Sequence, residues 1–283
     1  MMKKASYFLL TKSIGLYINF LSFVFPKKAS QLAYAFFSEP RQGKLSLENL
    51  PKILQEAELE TIPMANHHFQ TYTWSGNDNI ILLVHGWESN SSRWQKLIPY
   101  LKKSGSTIIA IDAPAHGLSS GKEFNVPQYV TFMHVIIQKY KPKQIIGHSL
   151  GGIATAYYQH LYKEHSLEKL VLLGSPSDFT ILLSNYIQLL SLNSRVHQSL
   201  IEYTKHRFEI IAENFSASNF LNKSELQGII AHDIDDKVVL FKEGEKIANS
   251  WKNANFIETK GLGHSMHDDD LYTEVANFLF KTE

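Results

Sequence analysis

The chain has 283 residues, of which 44% are apolar, and a formal net charge of +1. This composition is typical of a globular protein with a substantial core, most simply one domain that carries an insertion. Lysine and arginine are spread along the chain, so nucleic acid is not expected as a partner. The absence of cysteine excludes disulfides, thiolate zinc sites and cysteine nucleophiles, and it permits a reducing compartment. We therefore expect a cytoplasmic protein whose chemistry uses oxygen and nitrogen side chains.

The first predicted element is a helix near the N-terminus. Residues 5–25 are mostly apolar, lysines flank them on both sides, and Pro26 follows. The stretch has the length of a membrane span. However, Thr11, Lys12, Asn19 and Ser22 fall on one side of a helical projection, which favours a helix bound along one side. Three interpretations stay open: packing on the domain or on a second subunit of a homo-oligomer, peripheral anchoring at a membrane surface, and a cleaved signal peptide.

From Glu58 onward the sequence alternates predicted strands and helices. Two runs of strand composition, ELETIPM and HHFQTYTW, predict a hairpin. The next predicted elements are strand 80–85, helix 92–103, strand 107–112, helix 127–140, strand 144–147, a helix after Ser149, and strand 169–173. Continuous apolar strands indicate a parallel sheet with helices on both faces. Functional groups are then expected at the carboxyl ends of the strands.

The alternation stops between Pro176 and Glu225. Two apolar helical stretches, FTILLSNYIQLLSL and VHQSLIEYTKHRFEII, follow each other there with no strand between them. Strands are predicted again at 227–232 and 255–259, and a last helix from about residue 270 to 280. The predicted organisation is an N-terminal helical extension at 1–57, a core at 58–175 and 226–283, and a helical insertion at 176–225.

The segment QIIGHSLGGIATAYY, residues 144–158, indicates a strand that ends abruptly, a tight turn and a helix that begins at once. Its glycines lack the Cβ atoms that would clash where a strand and a helix cross closely. Ser149 lies at the turn, so it is either a displayed nucleophile or the N-cap of the helix. Other strand ends carry the motifs LLVHGWESNSSRW, IIAIDAPAHGLSSG, GIIAHDIDDKVV and GLGHSMHDDD.

These motifs, in this order, resemble the α/β-hydrolase superfamily, in particular a serine esterase or lipase-like member with a helical cap. The sequence GHSLG at residues 147–151 matches the family's G-x-S-x-G turn, and the family order of serine, acid and histidine follows. The resemblance runs from about Glu58 to the C-terminus, with little specificity over the insertion. It implies a mostly parallel central sheet covered by helices on both faces, with a helical cap and an N-terminal helical extension.

Acyl-transfer chemistry assigns a role to each residue type. Ser149 is the predicted nucleophile, and its weakly nucleophilic hydroxyl needs a base. His264 is the predicted base, whereas His148 adjoins the serine and cannot fold back onto its hydroxyl. The resemblance implies Asp236 as the acid that orients the imidazole, because of its spacing from the next apolar residue. Asp235 is the second candidate for that role.

The same resemblance implies an oxyanion hole formed by the backbone N–H groups of Trp87 and Leu150. A structural role is expected for His85. We expect no cofactor and no metal. One alternative is an oxygen-rich cation site built from the acidic and histidine residues of HDIDD and GHSMHDDD, although the second motif is more simply the acidic first turn of the last helix.

A serine at the turn implies an acyl-enzyme, whereas relatives with aspartate there form alkyl esters. The predicted function is hydrolysis of a small-molecule carboxylic ester with a small-to-medium hydrophobic acyl group, because the predicted cap is rich in leucine and aromatic residues. The alternatives are an acyltransferase or amidase that uses the same triad, and a non-catalytic binding protein on the same fold.

Overall fold

The computed structural model describes residues 2–280, with side chains from Ser6 onward. The strands are β1 (Glu58–Met64), β2 (His67–Trp74), β3 (Asn77–Val84), β4 (Ser106–Ile111), β5 (Gln144–His148), β6 (Lys169–Leu173), β7 (Gln227–Asp233) and β8 (Ala254–Thr259). The α-helices are α1 (Met2–Val24), α2 (Pro26–Ser38), α3 (Lys52–Gln55), α4 (Ile98–Lys102), α5 (Val126–Tyr140), α6 (Leu150–Tyr162), α7 (Phe179–Leu190), α8 (Ser194–Phe208), α9 (Ala217–Leu221), α10 (Phe241–Ser250) and α11 (Asp269–Phe280).

The strands form one sheet in the order β1-β2-β4-β3-β5-β6-β7-β8. The strands β1, β2 and β4 pair antiparallel, and every pairing from β4 through β3 to β8 is parallel. The predicted hairpin and the predicted mostly parallel sheet are therefore confirmed. Because β3, β5, β6 and β7 lie inside the sheet, they are buried on both faces, which explains their unbroken apolar sequences.

Successive side chains of the inner strands pack on opposite faces of the sheet. Ile81 and Leu83 of β3 belong to a core cluster with residues of α3, α4 and α11. On the other face α5 packs against α6, and α6 contacts β3, β5 and β6. Helices thus cover both faces, as predicted.

The predicted helix 92–103 is wrong in its first half. Residues Ser91–Lys96 form a 3-10 helix, and the α-helix begins only at Ile98. Pro99 stands in the first turn of α4, where its missing N–H costs nothing but where it cannot continue a preceding α-helix. The side chain of Asn90 accepts a hydrogen bond from Ser92 N and starts the tighter turn.

The structure divides into two compact units. One contains the residues up to Glu39 together with Asp178–Ser216, and the other contains Pro40–Ser177 and the chain from Ala217 on. The second unit holds the sheet and is called the sheet unit below. The first, called the helical unit, joins α1 and α2 to α7 and α8, two segments that the sequence analysis treated as separate.

The helical unit has its own apolar core. Tyr34 of α2 packs against Tyr203 of α8 with ring centroids 4.5 Å apart. The buried residues of this core are Ile18, Ala29, Ala33, Tyr34, Leu183, Leu190, Leu192, Val196 and Leu200. The leucines of the insertion therefore pack against the N-terminal helices.

Candidate active site

Ser149 stands in a strained turn between β5 and α6. Its φ of 53° and ψ of −122° lie in a region that side chains rarely adopt, so the surrounding structure must hold the residue there. A Cβ added at Gly151 would lie 2.0 Å from Val84 O, so the turn tolerates only glycine at that position. The Ser149 side chain does not cap α6. The N-cap interpretation of its hydroxyl is therefore wrong, and the hydroxyl is available for another partner.

The structure brings the three predicted catalytic side chains into one hydrogen-bonded chain. Ser149 Oγ lies 3.0 Å from His264 Nε2, and His264 Nδ1 lies 2.8 Å from Asp236 Oδ2. Ser149 follows β5, Asp236 follows β7 and His264 follows β8, so all three project from the carboxyl edge of the sheet. The serine and the aspartate are buried, while the histidine side chain is 21% exposed.

The loop after β7 separates the two candidate acids. Asp236 is buried and its Oδ1 accepts the N–H groups of Val238 and Val239 at 2.8 and 3.0 Å, whereas Asp235 is exposed to solvent. Burial alone would raise the pKa of Asp236, but hydrogen bonds from His232 and His264 outweigh it and hold that pKa below its ordinary value. Asp236 is thus a buried carboxylate that stays ionised beside the imidazole.

Three side chains hold the loop that carries His264. His148 Nε2 lies 2.8 Å from the backbone oxygen of His264, and Arg93 Nη2 donates to the backbone oxygen of Ser265 at 2.9 Å. Asp233 Oδ2 accepts the N–H of Leu262 at 2.9 Å. Burial, and then the positive charge of Arg93, lower the pKa of His148 well below its ordinary value. His148 is therefore a neutral structural donor.

The chain segments that carry the predicted oxyanion donors approach each other at the serine. A Cβ added at Gly86 would lie 2.8 Å from the Cβ of Ser149 and 3.1 Å from Leu150 N, so the chain after β3 runs directly along the turn. His85 Nδ1 lies 2.8 Å from the oxygen of Gly86. The oxygen of Gly86 and the N–H of Trp87 belong to the same planar peptide group. This hydrogen bond therefore fixes the orientation of the Trp87 N–H. Burial lowers the pKa of His85 to about 3, so its ring is neutral.

Asp112 and His116 support the loops behind the site. Asp112 Oδ1 accepts both the N–H and the hydroxyl of Ser91, at 2.9 and 2.7 Å, and its Oδ2 accepts the hydroxyl of Tyr72 at 2.9 Å. His116 Nε2 accepts the N–H of Glu88 at 2.9 Å. These contacts are internal to the scaffold.

No metal site forms among the residues that the structure describes. No group of three or more potential ligands comes together there. Asp233 uses its oxygens on Thr259 and on backbone N–H groups, and His267 bonds Tyr272. Asp268 accepts the N–H of Leu271 at 2.8 Å, so it caps α11. Of the side chains considered for the alternative cation site, Asp233, His267 and Asp268 are therefore committed to local hydrogen bonds.

Two residues of the site had no role in the sequence analysis. His232 Nε2 lies 3.5 Å from Asp236 Oδ2 and 2.9 Å from Val239 O, so it packs beneath the acid. The sequence offered a signal for this role of His232, because the residue lies at a strand end and four residues before Asp236. Arg93 had no comparable signal, because its partner Ser265 lies 172 residues further along the chain.

The fold agrees with comparisons to known proteins. A profile of the family described as alpha/beta hydrolase fold matches residues 79–195. A serine hydrolase-like protein from Danio rerio is 35% identical over 115 residues, which cover 37% of this chain and 35% of that protein. The chain thus spans about a third of the length of this relative.

Two solved structures resemble the chain in fold. A bromoperoxidase from Bacillus anthracis aligns with a TM-score of 0.62 at 16% identity, covering 79% of this chain and all of that one (100%). An esterase from Exiguobacterium antarcticum aligns with a TM-score of 0.58 at 17% identity, covering 77% and 97% of the two chains. The profile match and the two structures show that the chain has the alpha/beta hydrolase fold. At these identities the two structures speak for the fold alone.

Proposed function

We propose that the protein is a serine hydrolase that cleaves a carboxylic ester through an acyl-enzyme. The observation that carries this proposal is the position of His264, which bridges Ser149 Oγ and Asp236 Oδ2 at 3.0 and 2.8 Å. An imidazole held in this way accepts a proton at Nε2 while its Nδ1–H donates to the carboxylate. The serine hydrolase-like name of the Danio rerio relative is consistent with this chemistry.

In the proposed reaction Ser149 Oγ attacks the ester carbonyl and its proton passes to His264 Nε2. The carbonyl oxygen becomes an oxyanion, which the N–H groups of Leu150 and Trp87 stabilise. The C–O bond to the alcohol then breaks, and the alcohol leaves with the proton from Nε2. Water repeats the sequence on the acyl-enzyme, giving the carboxylic acid and restoring Ser149.

The choice of a hydrophobic acyl group rests on side chains of the sheet unit near the triad. The loop that carries Asp236 exposes Ile234, Val238 and Leu240, with 50%, 60% and 47% of their surface accessible. Trp87 and Leu150, beside Ser149, are only partly buried. A substrate that covers such side chains gains about 0.8 kcal/mol for each buried methylene. An acyl chain of a few carbons gains this free energy when its methylenes are buried against these side chains.

The test is fluorophosphonate labelling of the full chain followed by a chain-length series of p-nitrophenyl esters. We expect labelling that Ser149→Ala abolishes, and kcat/KM that rises from acetyl to about butyryl or hexanoyl and then levels. Two methylenes correspond to at most about a 15-fold rise. Absence of labelling would indicate a binding protein. A preference for acetyl, or a flat profile, would favour amides or acyl transfer over this substrate class.

A further inference from the structure

The helix α1 is oriented with its polar side toward the protein. Lys12 Nζ donates to the backbone oxygens of Gln188 and Leu189 at 3.1 and 2.9 Å, and to Ser191 Oγ at 2.8 Å. It therefore caps the last turn of α7, where carbonyl groups lack helical partners and a cation is stabilised. Asn19 Nδ2 donates to Ser191 O at 2.8 Å.

The same side of α1 is close-packed as well as hydrogen-bonded. Asn19 Oδ1 accepts the N–H of Asn193 at 2.8 Å, and Asn193 Nδ2 donates to Ser22 Oγ at 3.1 Å. A Cβ added at Gly15 would lie 1.7 Å from Leu190 O, so only glycine permits this approach of α1 to α7. The polar residues that the sequence places on one side of α1 therefore already have hydrogen-bond partners inside the helical unit.

The opposite side of α1, called the outer face below, is apolar and exposed. Each of its large side chains, and each of those at the two ends of the helix, leaves more than half of its surface accessible. They are Tyr7, Phe8, Leu9, Leu10, Leu16, Tyr17, Phe20, Phe23, Val24 and Phe25. The segment Ser6–Val24 is long enough and apolar enough to cross a membrane, yet only 22% of its apolar stretch is buried in the protein. A continuous apolar surface of this kind normally marks an interaction site.

The charges at the ends of α1 indicate what covers the outer face. The first 38 residues contain five lysines, at positions 3, 4, 12, 27 and 28, and no aspartate or glutamate before Glu39. Lys27 and Lys28 are exposed directly after the helix. An apolar face with basic ends matches an anionic lipid surface, whose headgroups attract lysines while its hydrocarbon edge receives the apolar side chains.

Two other arrangements fit these observations less well. A second copy bound through the same face would bring together two basic segments that carry no carboxylate to neutralise them. A helix that spans the bilayer would place Lys12 and the polar turn at Ser191 deep in hydrocarbon, since Lys12 lies in the middle of α1 and Ser191 is hydrogen-bonded to Lys12 and Asn19. A helix lying in the plane of the interface keeps that polar side toward the protein.

We propose that the outer face of α1 docks the protein onto an anionic membrane surface, with the helix lying in the plane of the interface. Tyr7 and Tyr17 then sit at headgroup level, where amphipathic aromatic rings are favoured. This proposal does not depend on the reaction at Ser149, because lipid binding can be measured without any substrate.

The test is flotation of the full chain with vesicles of phosphatidylcholine alone or mixed with phosphatidylglycerol. We expect the protein to float with the mixed vesicles and Leu16→Glu to lower the partition coefficient about tenfold or more. Leu47→Glu is the matched control, because Leu47 is 69% exposed in the sheet unit and Leu16 is 71% exposed on α1. The control should float like the unchanged protein.

A second variant tests the charge component. Replacing both Lys27 and Lys28 by glutamine should lower binding to mixed vesicles about tenfold and leave the weaker binding to phosphatidylcholine unchanged. Thermal unfolding and fluorophosphonate labelling should be unchanged in all variants, since no altered side chain is buried. The proposal is overturned if the unchanged protein does not float, or if Leu16→Glu floats as well as Leu47→Glu. It is also overturned if sedimentation shows a dimer that Leu16→Glu dissociates, because the face would then bind a second copy.

Discussion

Exchange of Asp236 for asparagine tests the proposed mechanism most directly, because Asp235 provides the same substitution one residue away. In the unchanged protein Asp236 Oδ1 accepts the N–H groups of Val238 and Val239. The single side-chain oxygen of Asp236→Asn can still accept both. The new amide then faces His264 Nδ1, where it donates. The imidazole must carry its proton on Nε2, opposite Ser149 Oγ, and can no longer accept the serine proton.

The size of the effect follows from this tautomer change. We expect kcat to fall on the order of 10⁴-fold, equivalent to about 5.5 kcal/mol of transition-state stabilisation. Stability should fall by about 1–2 kcal/mol, because a charge-assisted hydrogen bond to a buried carboxylate becomes a neutral one. For a chain of this size that lowers Tm by roughly 2–8 °C.

The pH dependence of stability gives a second readout. The pKa of Asp236 is lower in the folded chain than its ordinary value. The ionised carboxylate therefore stabilises the fold above the unfolded pKa of about 3.9, and this contribution is lost as the pH falls through the folded pKa. Asp236→Asn should remove this component, so its Tm should differ less from that of the unchanged protein at acidic pH than at neutral pH.

The assay is p-nitrophenyl butyrate hydrolysis and the rate of fluorophosphonate labelling, with thermal unfolding followed by circular dichroism. Asp235→Asn is the control, because the Asp235 side chain is exposed and only its backbone N–H bonds Asp233. We expect it to stay within about twofold of the unchanged protein. Activity of Asp236→Asn within tenfold of the unchanged protein, or an equal loss in Asp235→Asn, would refute the assignment of the acid.

Three further predictions concern other contacts. Ser149→Ala and His264→Ala should each lower kcat by several orders of magnitude, and the double variant should be little worse, because the two residues act as a unit; additive losses in steady-state kinetics would contradict this. Gly86→Ala places a methyl group 2.8 Å from the Ser149 Cβ and should lower kcat by about 10²-fold with a smaller effect on KM. Gly15→Val should lower stability by about 1–3 kcal/mol in thermal unfolding, since its Cβ would meet Leu190 O, whereas Ser13→Ala on the exposed side of α1 should have little effect.

Local sequence determined the features that depend on local sterics and periodicity. Glycines around Ser149 predicted a turn that only small residues can form, and the structure contains that turn with φ of 53° at the serine. Unbroken apolar runs predicted buried parallel strands, because helices cover such strands on both faces of the sheet. The positions of Lys12 and Asn19 on one side of a helix likewise followed from a period of 3.6 residues.

Tertiary structure alone decided which partner each of these groups meets. The Ser149 hydroxyl could be a cap or a nucleophile until His264, 115 residues away, came within 3.0 Å. The spacing of the motif favoured Asp236 over Asp235, but their environments differ only because the loop after β7 buries one carboxylate and exposes the other. The polar side of α1 is hydrogen-bonded to the end of α7, where the partner of Lys12, Gln188, lies 176 residues further along the chain. A side chain's chemistry and spacing are local properties, whereas its burial and its hydrogen-bond partner depend on segments that only folding brings together.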